Sequence, residues 1–137
     1  MVDDYLSRFD KTGRGIGLGP VSVQDMDAKK AGIAGEAALL RKAVAGANPL
    51  IVLDERGRTL SSREFADYLA TWRDQGRREI AFAVGGADGI DPALLEEADL
   101  VLSFGKMVWP HMLARVMLAE QLYRAASILS GSPYHRD

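Results

Sequence analysis

LIVLDERGRTLSSREFADYLATWRDQGRREIAFAV, residues 50–84, decides the architecture. It opens on Leu50-Ile51-Val52-Leu53 and closes on Ile80-Ala81-Phe82-Ala83-Val84. Both runs are wholly apolar and of strand length, as strands of a parallel sheet covered on both faces read. Between them, Ser61-Ser62-Arg63-Glu64 has the S-x-x-E form of a capping box. Phe65, Tyr68, Leu69 and Trp72 follow as the core face of the helix it starts, and Gly76 ends that helix. Strand, helix, strand at this spacing predicts a right-handed crossover between parallel strands. The first strand is expected to stop at Asp54-Glu55-Arg56-Gly57.

The pattern continues downstream. Gly85-Gly86-Ala87-Asp88-Gly89 follows the second strand, and Asp91 with Pro92 starts a short helix that faces Leu94 and Leu95 inward. Residues 99–104 form a third apolar strand, which feeds Gly105-Lys106-Met107-Val108-Trp109-Pro110 and then a long helix over residues 111–130. Gly131 and Pro133 stop it. Upstream, residues 29–45 predict a helix weakened by Gly32 and Gly35, each by about 1 kcal/mol. Val21-Ser22-Val23 is a short strand candidate, and residues 11–20, with Gly13, Gly15, Gly17 and Gly19, are expected to form a loop. Val2, Tyr5, Leu6 and Phe9 recur at helical spacing, with nothing to cap the helix start. The class is α/β, a mainly parallel sheet with helices on both faces.

Composition narrows the function. The chain has 137 residues, enough for one domain, with 47% hydrophobic and 26% charged residues, which indicates neither a disordered nor a membrane class. The net charge of −2 confines any nucleic-acid surface to a local patch. With no Cys there are no disulfides and no thiolate chemistry, and only two His make a zinc site improbable, so no metal is expected. No signal peptide or membrane span is visible, and a cytoplasmic location is the expectation.

If the three strands are parallel neighbours, the turns after Leu53, Val84 and Phe104 gather at one sheet edge, where α/β proteins hold small ligands. Gly85, Gly86, Gly89 and Gly105 let a backbone approach a ligand there, although the same glycines serve ordinary turns. The run is not the G-x-G-x-x-G dinucleotide fingerprint, and residues 11–20 lack the phosphate-loop pattern. The tail Pro133-Tyr134-His135-Arg136 sets an aromatic ring, an imidazole and a guanidinium side by side. It is either a solvated terminus or a substrate grip, with Tyr stacking on a base, Arg holding an anion and His exchanging a proton. Glu120 and Arg124, at i, i+4 spacing, read as a surface pair. No hydrolase apparatus is visible.

These residues carry a resemblance. Val84-Gly85-Gly86-Ala87-Asp88-Gly89, the stretch from Leu102 to His111, the helix segment Arg115-Val116-Met117-Leu118-Ala119-Glu120-Gln121-Leu122-Tyr123-Arg124-Ala125 and the closing Pro133-Tyr134-His135-Arg136 resemble the SPOUT-class methyltransferases that modify N3 of a pseudouridine in bacterial 23S ribosomal RNA. The resemblance runs from about Leu50 to the end and, more weakly, through Asp4-Tyr5-Leu6-Ser7-Arg8-Phe9. It implies one domain over residues 1–137, a trefoil-knotted α/β fold, S-adenosylmethionine as cofactor, a homodimer, and the ribosome as partner. It implies cofactor contacts from Leu53, Gly85, Gly86, Gly105, Lys106, Met107, Val108, Trp109 and Pro110. It places Tyr134, His135, Arg136 and Arg124 against the target base, across the dimer interface. Arg136 or Arg124 would stabilise the base as an anion, and His135 is a candidate proton acceptor.

The family begins with an apolar strand, a loop and the start of a helix before the equivalent of Asp4, which this sequence lacks. A late start or a true truncation is expected, with lower stability than an upstream-extended chain. Two other readings stand beside the methyltransferase: a small dehydrogenase-like domain, against which the missing fingerprint argues, and a non-catalytic dimeric module that binds a ribosome or nucleotide.

Overall fold

β1 (Leu50–Thr59) is the centre of a three-stranded sheet in the order β2-β1-β3, with β2 (Ala81–Val84) and β3 (Leu100–Ser103) both parallel to it. The computed structural model describes residues 1–25, 32–85 and 89–137. In register, Leu50 faces Ala81 and Leu53 faces Val84 on one side, and Ile51 faces Leu100 and Leu53 faces Leu102 on the other. Asp99 extends the ladder beyond β3: its amide donates to the Leu50 carbonyl at 2.8 Å and its carboxylate accepts from the Leu50 amide at 2.7 Å.

β1 does not stop at Asp54, as the sequence suggests. Leu102 lies opposite both Leu53 and Arg58, so residues 54–57 leave the ladder as an excursion and the strand resumes to Thr59. The polar run signals an end because Glu55 and Arg56 are exposed, while the backbone returns to β3. Leu50, Ile51, Val52 and Leu53 are all buried.

The chain divides into two units. One, residues 23–59 and 77–111, holds the sheet with α2 (Gly32–Ala43) and α4 (Pro92–Glu97). Ala37, Leu50, Val52, Ala83, Ile90 and Leu94 form its buried cluster, with Leu40, Val44 and Leu95 packed around them. Full burial of each larger side chain is worth about 1.5–3 kcal/mol. Asp91 caps α4 by accepting from the Ala93 amide at 2.9 Å, with Pro92 in the first turn, as the sequence predicts. Of the predicted helix over residues 29–45, residues 29–31 lie outside the described residues.

The other unit, residues 1–22, 60–76 and 112–137, holds α1 (Val2–Arg14), α3 (Ser62–Asp74) and nearly all of α5 (His111–Ser130). α3 opens with the predicted capping box: the Ser61 hydroxyl accepts from the Glu64 amide at 3.0 Å, and the Glu64 carboxylate accepts from the Ser61 amide at 2.9 Å. α5 spans the predicted residues. Two expectations are corrected. α1 continues four residues past Asp10, because a glycine at 13 lets the Leu18 carbonyl approach to 2.6 Å of where a Cβ would stand. Residues 21–23 are not a strand; the Val21 amide is taken by the Asp10 carboxylate at 2.9 Å, and Val23 is exposed. Among the described residues no helix is long and apolar enough to cross a membrane.

Candidate functional site

Parallel pairing brings the ends of β2 and β3 into one row with Leu53, the point where β1 leaves the ladder. Val84, Leu53 and Leu102 are cross-strand neighbours, so the turns that follow them leave from the same sheet edge. The first turn, residues 54–57, is held by its own ion pair. Arg56 donates from Nε to Asp54 Oδ1 at 2.7 Å and from Nη2 to Oδ2 at 2.8 Å, and its amide donates to Oδ1 at 2.9 Å. The Arg56 hydrogen bonds, outweighing a burial that pushes the other way, hold the Asp54 carboxyl below its ordinary range. In the second turn, Gly85 has the Ile90 side chain 2.7 Å from where its own Cβ would stand. Gly86, expected to touch a ligand, lies outside the described residues.

The third turn begins at Ser103, which sequence reasoning passed over. Its buried hydroxyl donates to the Gly105 carbonyl at 2.8 Å and accepts from the Gly105 amide at 3.0 Å, with the Glu55 carbonyl as a second acceptor at 3.3 Å. This fixes Gly105 at φ 126°, which side chains rarely adopt, with open space where a Cβ would be. Beyond it Met107, Val108 and Trp109 stand 73%, 78% and 40% exposed, and Lys106 and Pro110 are exposed with them. An apolar surface beside open backbone, with Lys106 the sole charge in residues 105–110, suits a flat heterocycle better than a phosphate.

In the other unit the tail is fastened onto α5. Glu120 is the centre. It accepts from Arg124 at 2.8 Å and 3.2 Å through both oxygens, and from the Tyr134 hydroxyl at 2.7 Å. Burial pushes the Glu120 carboxyl up, but the hydrogen bonds from Arg124 and Tyr134 outweigh it and hold it below its ordinary value. Tyr134 is pushed up to about 12 by burial and by its bond to Glu120, so it remains a neutral donor. Its ring packs 4.5 Å from that of Tyr123 and lies under the Arg124 guanidinium at 4.9 Å. Arg8 on α1 stands 5.9 Å from the rings of both Tyr5 and Tyr123.

His135 is engaged at both nitrogens: Nδ1 lies 3.0 Å from Arg124 Nη1 and Nε2 lies 2.9 Å from Asp137 Oδ1. A guanidinium can only donate, so Nδ1 accepts and the neutral ring carries its proton on Nε2, donating to Asp137. Arg63, at the start of α3, donates to both oxygens of Asp137 at 2.8–3.1 Å. The Arg63 bonds, with His135, hold that carboxyl at about 2. Arg136, by contrast, is exposed. The structure thus brings Tyr134, His135 and Arg124 into one network, with Arg136 beside them on the chain. Glu120 belongs to this network rather than to a plain surface pair. The signal was in its sequence spacing from Arg124; the bond from Tyr134 closes only through tertiary structure.

Residues 1–135 match the family model described as "Predicted SPOUT methyltransferase". Among curated proteins the chain is 64% identical over 137 residues to the Ribosomal RNA large subunit methyltransferase H of Ruegeria pomeroyi, spanning 99% of this chain and 88% of that protein. The proteins of the same name from Dinoroseobacter shibae and Cereibacter sphaeroides are each 64% identical over the same shares.

Proposed function

The chain belongs to the SPOUT methyltransferase family, and on that premise we propose that it methylates N3 of a pseudouridine in 23S ribosomal RNA of the assembled ribosome, as a cytoplasmic homodimer with a trefoil-knotted backbone. The observation that carries the reading is the 64% identity, across 99% of the chain, to proteins named as large-subunit ribosomal RNA methyltransferases. S-adenosylmethionine is the proposed donor, and when bound it supplies a methyl group on a positively charged sulfur. The residues fit it: Leu53, Gly85 and residues 105–110 offer backbone and apolar surface without the basic cluster that a nucleotide phosphate requires. Gly86 is assigned to the same contact by resemblance.

Transfer from the bound donor would join its methyl group to N3 as the C–S bond breaks, leaving a neutral thioether, while the N3 proton would pass to solvent water. Alignment supplies most of the rate in such an in-line displacement. We assign the anionic base to Arg136, which is exposed, with Arg124 as second cation. Tyr134 anchors the tail through Glu120. The neutral His135 has its one lone pair occupied by Arg124, which favours a role in orienting that guanidinium over proton abstraction. The test is transfer from labelled S-adenosylmethionine onto ribosomes from a strain lacking the gene, with the modified nucleoside identified by mass spectrometry. N3-methylpseudouridine on ribosomes supports the proposal. Donor binding by calorimetry with no transfer to ribosomes or free RNA would return the reading to a non-catalytic module. Light scattering tests the homodimer.

A further inference from the structure

Arg56 makes a contact that neither the sheet nor the ion pair requires. While its fork is seated on Asp54, Nη2 also donates to the Ile90 carbonyl at 3.2 Å. Asp54 follows Leu53 where residues 54–57 leave the ladder within β1; Ile90 lies beyond β2 and fills the space that a side chain at position 85 would need. The Asp54 side chain is 3% exposed, so its two bonds from the Arg56 guanidinium, with a third from the Arg56 amide, fix the guanidinium rather than merely attract it. One side chain therefore ties the excursion of β1 at residues 54–57 to the Ile90 side of the turn after β2.

We propose that Arg56 is a positioning residue for the methyl donor, holding the spacing between the turn that follows Leu53 and the segment at Gly85 and Ile90. Arg56 touches no reacting atom; it acts through the Ile90 backbone. The inference rests on the proposed function for the identity of the donor, and on geometry alone for the tie itself.

The experiment uses the full chain with Arg56→Ala and Arg56→Lys. Hydrogen exchange without cofactor reads the tie as local opening of the backbone at Ile90, whose carbonyl Arg56 holds. Both variants are expected to exchange faster at the Ile90 amide than wild type, because a lysine keeps the charge beside Asp54 but cannot fork to a second acceptor. Calorimetry with S-adenosylmethionine is expected to show about tenfold weaker binding in both variants, and turnover a raised KM with kcat unchanged. Arg56→Lys with wild-type exchange and affinity would mean that Arg56 only neutralises Asp54, and would overturn the proposal. So would unchanged exchange in Arg56→Ala. A wild type that binds no S-adenosylmethionine counts against the proposed function; the exchange result still decides the tie.

Discussion

Glu120→Gln separates a structural knot of side chains from a surface pair. Gln is nearly isosteric and leaves the helix unchanged, yet removes the charge that Arg124 and Tyr134 both address. An exposed i, i+4 pair would lose about 0.3–0.5 kcal/mol. Here the side chains of Glu120 and Arg124 are only 19% and 23% exposed, and the carboxylate accepts from a phenol as well. A hydrogen bond to a charged group is worth about 1.5–3 kcal/mol, and the replacement amide turns N–H donors towards a guanidinium that cannot accept. A loss of about 2 kcal/mol is expected, roughly 6–8 °C in melting temperature at this chain length.

The pH dependence supplies the control. The folded-state value of Glu120 lies below its ordinary one. Its contribution is therefore present above the unfolded value, about 4.3, and is lost as pH falls through the folded value. Denaturant midpoints of wild type and Glu120→Gln should differ fully at pH 7 and converge below about pH 4.5. A deficit under 0.5 kcal/mol, or one that stays constant down to pH 3.5, would refute the reasoning.

Three further outcomes are expected. Tyr134→Phe should remove the late phase, near 12, from the absorbance titration of the tyrosines; stability from the neutral phenol is present below the ordinary value of about 10 and is lost as pH rises through 12. Gly57→Ala places a Cβ 2.5 Å from the Val101 carbonyl oxygen, and a melt should show a loss of about 2–3 kcal/mol because backbone, not a flexible side chain, must yield. Leu94→Ala empties a site that is 1% exposed and should lower stability by about 2–5 kcal/mol in denaturant titration, with the m-value unchanged.

Most of the fold was legible because parallel strands and capped helices write themselves locally. The Ser61–Glu64 box and Asp91-Pro92 each combine a propensity with a hydrogen bond satisfied within a few residues, and Leu50-Ile51-Val52-Leu53 is an unbroken apolar run that the sheet buries. The errors fall where a distant partner overrides the local signal. Val21 looks like a strand until Asp10 takes its amide, and Asp54 looks like a stop until Arg58 and Thr59 rejoin β3 opposite Leu102 and Ser103. Gly13 looks like a helix breaker unless the close approach of Leu18 is known.

The candidate site divides the same way, and the division bears on how the tail acts. Composition shows that Tyr134, His135 and Arg136 are chemically apt, but not which of them is spent on holding the others. The bonds decide that. Tyr134 gives its proton to Glu120, His135 gives its lone pair to Arg124 and its N–H to Asp137, and Asp137 is gripped by Arg63. Each group so committed must break a charge-assisted bond before it can meet a substrate. Among the described residues Arg136 makes no such bond, which is why the anion-stabilising role falls to it in the proposed reaction. On that logic Arg136→Ala should lower kcat while leaving the melting temperature nearly unchanged, whereas Tyr134→Phe should lower both. Equal thermal losses in the two variants would mean that Arg136 is part of the fastening, and the division of labour would fail.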